Sequence, residues 1–165
     1  LKKEDLKIDE TLFGTGVYIA NLNSDRQVVI CGLKDKVNEF KEQNPIGKFI
    51  PLNVSAPFHS ELMKESADLF NEKIKNNLFK KINIDLISNH NLINYKNISE
   101  KEYSNQLTLQ IHSPVMWSET IKSILNHEIN TCIEIGPKKT LLNFLPKDFK
   151  GEKYSLCNIE DINNV

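Results

Sequence analysis

The sequence predicts an α/β domain. β-Branched runs alternate with amphipathic helical stretches along most of the 165 residues, and no repeat or low-complexity tract interrupts them. Alternation of this kind implies a parallel sheet covered by helices on both faces. A chain of this length buries enough apolar surface to hold one core without covalent or metal staples. The cysteines agree: Cys31, Cys132 and Cys157 are odd in number, far apart and never arranged C-x-x-C, so isolated thiols in a reducing compartment are expected.

The elements follow in order. Residues 3–12 read as a short charged helix, ended by Gly14-Thr15-Gly16. The runs 17–20 and 27–31 are β-branched and flank the turn-rich Asn21 to Asp25 connection, so they are expected to pair as a hairpin. Leu33, Val37 and Phe40 at helical spacing predict a helix over 34–43, and 48–54 returns as a strand. This α-β-β-α-β string is a ferredoxin-like unit without its first strand. From Ser60, a predicted N-cap, an amphipathic helix is expected to run to residue 77. A strand over 82–88 comes next, then a capping box formed by Ser99 and Glu102. A helix is expected to start at Ser113-Pro114, with Pro114 at its first position. A buried strand over 131–135, the Gly136-Pro137 turn, a helix over 138–145 and a strand over 154–157 complete the chain.

Composition excludes several functions. The formal net charge of −1 argues against a nucleic-acid-binding domain, which needs a concentrated excess of base. The most apolar stretch, 28–33, falls far short of the roughly 20 residues that span a bilayer. Among the 21 basic residues Arg26 is the single arginine, which removes most candidates for a bidentate anion clamp. The excess of lysine, asparagine and isoleucine has the look of AT-rich coding. No initiator Met or signal region opens the chain, so it is expected to begin inside a longer protein.

Histidine is the side-chain type whose ordinary titration range lies near neutrality, and the sequence holds four. His59 follows Pro57-Phe58 at a junction between an extended segment and a helix, where side chains enter the crevices of α/β sheets; either a functional role or a ring satisfied by turn backbone fits that place. His90, His112 and His127 read as structural. No two histidines have ligand spacing, so no metal site is expected. The glycines at 14, 16, 32, 47, 136 and 151 never stand four apart, so neither a serine nucleophile elbow nor a glycine-rich phosphate loop is present. Lysines 34, 36, 41 and 48, and again 138, 139, 147, 150 and 153, are solvated surface groups or basic faces for an acidic partner.

Four motifs in order carry a resemblance. Pro51-Leu52-Asn53-Val54-Ser55-Ala56-Pro57-Phe58-His59-Ser60-Glu61-Leu62-Met63 resembles the histidine motif of malonyl-CoA:acyl carrier protein transacylases, the acyltransferases of discrete fatty acid synthesis. Asn21 to Ser24 with Gln27 to Ile30 resembles that family's small-subdomain hairpin. Gln110-Ile111-His112-Ser113-Pro114-Val115-Met116-Trp117 is similar to its Gln-x-x-x-Pro-Val-x-Trp motif, and residues 133–141 to its late Gly-Pro turn. The resemblance implies an α/β-hydrolase-like large subdomain (55–165, incomplete) with a ferredoxin-like small subdomain (1–54, partial). It implies an acyl-serine intermediate that passes malonyl from malonyl-CoA to the phosphopantetheine thiol of acyl carrier protein, without cofactor or metal. On it His59 is the catalytic imidazole and Gln110 the residue whose backbone carbonyl holds the other ring nitrogen. Lys48 stands where the family often has a base near the substrate phosphate, Asn21 and Asn23 border the pantetheine channel, and Phe58 resembles the bulky residue of malonyl-selective domains.

The departures from the family are equally specific. The serine elbow, the glutamine loop of the oxyanion hole and the arginine that pairs with the malonyl carboxylate are missing, and Arg26 matches none of them. The chain is therefore expected to be the C-terminal half of a transacylase, inert alone, monomeric within its parent and self-associating in isolation. Two other classes remain open: an acyltransferase region of a polyketide or multidomain fatty acid synthase, and a non-catalytic module that binds acyl carrier protein through its lysines. A plastid stroma of the apicoplast type is the expected compartment, with bacterial cytoplasm as the alternative.

Overall fold

The computed structural model describes residue 12 and residues 14–45 and 48–164. These fall into two compact units, one ending at Thr120 and the other starting at Ile121. The architecture is α/β, and each unit holds its own small sheet. The helix expected over 3–12 lies almost wholly outside the described residues.

The first unit opens with the expected hairpin. Strand β1 (Val17–Ser24) pairs antiparallel with β2 (Gln27–Gly32), from Val17 opposite Gly32 to Ser24 opposite Gln27, with irregularities after Ile19 and after Leu22. Helix α1 (Lys34–Gln43) follows as expected. Its Phe40 joins Leu12 and Val17 in a buried cluster against which Ile19, Val28, Ile30, Val37 and Phe49 pack. Phe40 and Phe49 meet edge to face at 6.5 Å.

The strand expected over 48–54 is extended but joins no ladder. Pro51 has no N–H to offer, and the Val54 N–H turns back to the Leu52 carbonyl (3.1 Å) instead of reaching across. Its alternating Ile50, Leu52 and Val54 stay exposed. The described residues therefore show a hairpin and a helix of the ferredoxin-like string, not its closing strand.

The single helix expected over 60–77 is a 3-10 turn, Glu61–Met63, continued by helix α2 (Lys64–Ile74). Ser60 does not cap it: the hydroxyl, almost fully buried, donates back to the Pro57 carbonyl at 2.6 Å. Helix α2 lies along helix α3 (Tyr103–His112), with Ala67 wholly buried. The expected strand over 82–88 is also absent. Ile87 makes one antiparallel bridge with Asn94, closed by Ser88 N–H to the Ile93 carbonyl and Tyr95 N–H to the Leu86 carbonyl, both 2.8 Å. An asparagine-rich reversal, with Leu92 at φ 61°, replaces strand pairing. The Ser99/Glu102 capping box is present and opens the 3-10 turn that leads into α3, the Glu102 carboxylate accepting from the Ser99 N–H at 2.9 Å.

Pro114 does not begin a helix. Val115 forms a bridge to Asn21 instead: its N–H donates to the Ala20 carbonyl and its carbonyl accepts from the Leu22 N–H, both 2.8 Å. With both backbone groups of Val115 committed to the hairpin edge, helix α4 starts only at Trp117 and runs to Leu125 across the division between the units.

In the second unit β3 (Thr131–Ile135) and β4 (Glu152–Leu156) pair in parallel, in register from Thr131 opposite Glu152 to Ile135 opposite Leu156. The helix expected over 138–145 shrinks to a 3-10 turn, Leu142–Phe144. The reason is Glu134. Buried on β3, its carboxylate accepts from the backbone N–H groups of Thr140 (2.9 Å), Leu141 (3.0 Å) and Leu142 (2.9 Å); a helix over 138–145 would leave the first two without an intrahelical partner and turn the third back to the Lys138 carbonyl.

Candidate functional site

The site is built where the His59 loop meets the C-terminal end of α3. A ten-residue helix leaves its last carbonyls without partners inside the helix. Here His59 supplies two of them: its backbone N–H donates to the Ile111 carbonyl (3.1 Å), and its ring Nδ1 lies 3.0 Å from the Gln110 carbonyl oxygen. A carbonyl only accepts, so Nδ1 carries the proton and Nε2 is the ring atom able to take one up. The partial negative charge of those helix-end carbonyls faces a ring that becomes cationic on doing so.

This docking forces the backbone. His59 has φ 63°, a left-handed conformation that a side-chain-bearing residue adopts at a cost. The neighbours hold it there: Ser60 ties the loop to the Pro57 carbonyl, and the Cys31 thiol at the end of β2 approaches the Phe58 carbonyl at 3.6 Å. Burial pushes the Cys31 thiol above its ordinary value, an effect its bond with Ser60 partly offsets, so it packs as a neutral group beneath the loop.

Gln110 also uses its side chain. Its Nε2 donates to the Tyr95 hydroxyl at 3.0 Å. Tyr95 is buried, packs edge to face on Tyr103 at 5.5 Å, and accepts the Tyr103 hydroxyl at its own carbonyl (3.1 Å). Sequence reading missed Tyr95 because it sits in a 3-10 turn, Tyr95–Asn97, with no periodicity around it.

The other candidates spread more widely. Phe58 is exposed beside His59. Asn21 and Asn23 lie on β1, and Asn21 is the residue bridged to Val115, five positions after Gln110. Lys48 is exposed on the extended segment eleven residues before His59. Among the remaining histidines, His112 Nδ1 stands 4.0 Å from the Glu61 carboxylate. His90 bonds the Ser88 hydroxyl through Nδ1 (2.7 Å), and burial, aided by the charge of His112, pulls it below its ordinary value. His127 is exposed. Among the described residues no group of three or more His, Cys, Asp or Glu side chains could hold a metal ion, and no helix is long and apolar enough to cross a membrane. An open cleft of about 400 Å³ between Thr131, Phe149 and Glu152 belongs to the second unit and contains neither His59 nor Gln110.

No protein-family profile matches the chain. A curated relative does: the malonyl CoA-acyl carrier protein transacylase of Bacillus subtilis strain 168 is 36% identical over 151 residues, which is 89% of this chain and 46% of the relative. The chain is a homologue of the malonyl-CoA:acyl carrier protein transacylases. Solved transacylases have the same fold. That of Synechocystis sp. PCC 6803 superposes with a TM-score of 0.82 at 25% identity, over 92% of this chain and 51% of that one. A malonyl-transacylase solved in complex with a type II polyketide acyl-carrier protein gives 0.81 at 26%, over 90% and 48%. The chain thus spans about half the length of the transacylases it matches.

Proposed function

We propose that this chain is the C-terminal half of a malonyl-CoA:acyl carrier protein transacylase and supplies the histidine side of its site. The hydrogen bond between His59 Nδ1 and the Gln110 carbonyl is the observation that carries this reading. A serine hydroxyl is a weak nucleophile until a neighbouring base takes its proton. His59, held with Nε2 ready to accept, takes that proton as the serine attacks the malonyl thioester, and then gives it to the departing CoA thiolate. When the phosphopantetheine thiol of acyl carrier protein attacks the malonyl-serine, the same ring acts again as base and then returns the proton to the serine oxygen. Gln110 plays the orienting part that an aspartate plays in a serine protease triad.

The serine comes from outside these 165 residues: no G-x-S-x-G pattern is present, and the relatives are about twice as long. The oxyanion donors and the arginine for the malonyl carboxylate come from there as well, so this chain alone is inactive. The hairpin with α1 packed on it supports reading 1–54 as part of a ferredoxin-like subdomain and 55–165 as part of an α/β-hydrolase-like one. In this reading Lys48 approaches substrate phosphate, Asn21 and Asn23 border the pantetheine channel, and Phe58 favours malonyl over branched acyl groups. No metal or cofactor is needed by the chemistry. The lysine-rich, arginine-poor composition supports a plastid of an AT-rich eukaryote as the compartment.

Intact-mass spectrometry after incubation with malonyl-CoA tests the proposal. A malonyl adduct is expected on the full-length protein and none on the 165-residue chain; His59→Gln in the full-length protein should slow transfer to acyl carrier protein by about 100-fold or more. An adduct on the short chain would mean that another nucleophile acts and that the assignment of His59 is wrong.

A further inference from the structure

We infer that Tyr95 is a positioning residue for His59, acting through the side chain of Gln110. The inference rests on the functional reading of His59 given above and extends it to a residue that no motif singles out.

The chain of contacts is short and continuous. His59 is oriented by a backbone carbonyl, and a backbone carbonyl is only as fixed as its peptide. Gln110 lies in the last turn of α3, where intrahelical bonds run out and ends fray. The Gln110 amide would otherwise add a flexible, polar arm at that end. Instead Nε2 donates to the Tyr95 hydroxyl at 3.0 Å, so the residue is held at both its carbonyl and its side chain.

Tyr95 is a rigid anchor. It is 4% exposed, its ring stacks edge to face on Tyr103, and Tyr103 in turn meets Phe79 at 6.0 Å. Its N–H and carbonyl are both committed, to the Leu86 carbonyl and the Tyr103 hydroxyl. A phenol fixed this way limits how far the Gln110 peptide can rotate, and so holds the acceptor that keeps the proton on Nδ1 and leaves Nε2 open to the serine. Buried polar groups joined in this manner lose more than one bond when a member is removed.

The test uses the full-length protein with Tyr95→Phe, which keeps the ring and its packing and deletes only the hydroxyl. Nitrogen-15 spectra of the His59 ring should show a larger share of the Nε2-protonated tautomer than wild type. Malonyl transfer should fall about threefold to tenfold in kcat with KM for malonyl-CoA unchanged, the scale of one hydrogen bond. Gln110→Leu, which keeps the carbonyl and removes the amide, approaches the same bond from the other end. In that background Tyr95→Phe should cost nothing further. An unchanged tautomer ratio in folded Tyr95→Phe, or an equal cost in both backgrounds, would overturn the inference. If the full-length protein transfers no malonyl group, the functional reading fails, and the tautomer ratio still decides the role of Tyr95.

Discussion

The ring Nδ1 of His59 lies 3.0 Å from the carbonyl oxygen of Gln110, a contact between residues fifty-one positions apart that joins a loop to the end of a helix. It is made with a backbone group at the end of α3, one that any residue at position 110 would offer. It also requires the loop to carry a histidine at φ 63°.

That requirement has a measurable cost. Replacing His59 by Ala removes the ring and keeps the Cβ that the left-handed conformation disfavours; replacing it by Gly removes both. Each variant loses the same hydrogen bond to Gln110, so their difference isolates the backbone. His59→Gly is expected to be more stable than His59→Ala by about 1 kcal/mol in urea denaturation. Equal stability, or a more stable Ala variant, would show that the loop relaxes out of this conformation when the ring is gone.

Gly151 is predicted to be intolerant of a side chain for a different reason. A Cβ there would collide with the Asn130 carbonyl oxygen and the Phe149 ring. The Asn130 oxygen cannot move away freely, because it accepts the Glu152 N–H at 2.8 Å where β4 begins. Gly151→Ala should therefore cost about 1–3 kcal/mol, the scale of overpacking. Gly136→Ala, with nothing near the added carbon, should be close to neutral. Chemical denaturation of both variants decides it: similar midpoints would mean that the strand start gives way without strain.

The sequence was most informative where one contiguous segment carried the signal. The hairpin, α1, β3 and the capping box at Ser99 follow from local pattern. Readings failed where a distant group took a backbone partner. Val115 gives its N–H and carbonyl to the hairpin, so Pro114 starts no helix. Residues 82–88 alternate like a strand, yet Asn94 and Tyr95 fold back on them in a reversal. Tyr95 was invisible for the same reason: its role depends on a phenol meeting an amide fifteen residues on, and no spacing rule encodes that.

Glu134 supplies the sharpest case, and a prediction with a sign. Burial alone would push this carboxyl above its ordinary 4.5, but the Leu141, Leu142 and Thr140 N–H groups outweigh it and hold the group below that value. A carboxyl that binds its proton less readily when folded contributes stability above its unfolded value, and that contribution is lost as pH falls through the depressed folded one. Glu134→Gln keeps the shape and loses the charge, and its amide NH2 would face three donors. At pH 7 the variant should be less stable by about 2 kcal/mol. The gap should narrow below pH 4.5, where wild type takes up the proton that the variant never binds. Urea denaturation of both proteins across that range gives the answer. A gap that stays constant with pH would show that the three bonds act through shape alone and that the charge of Glu134 contributes nothing to holding the 136–142 turn.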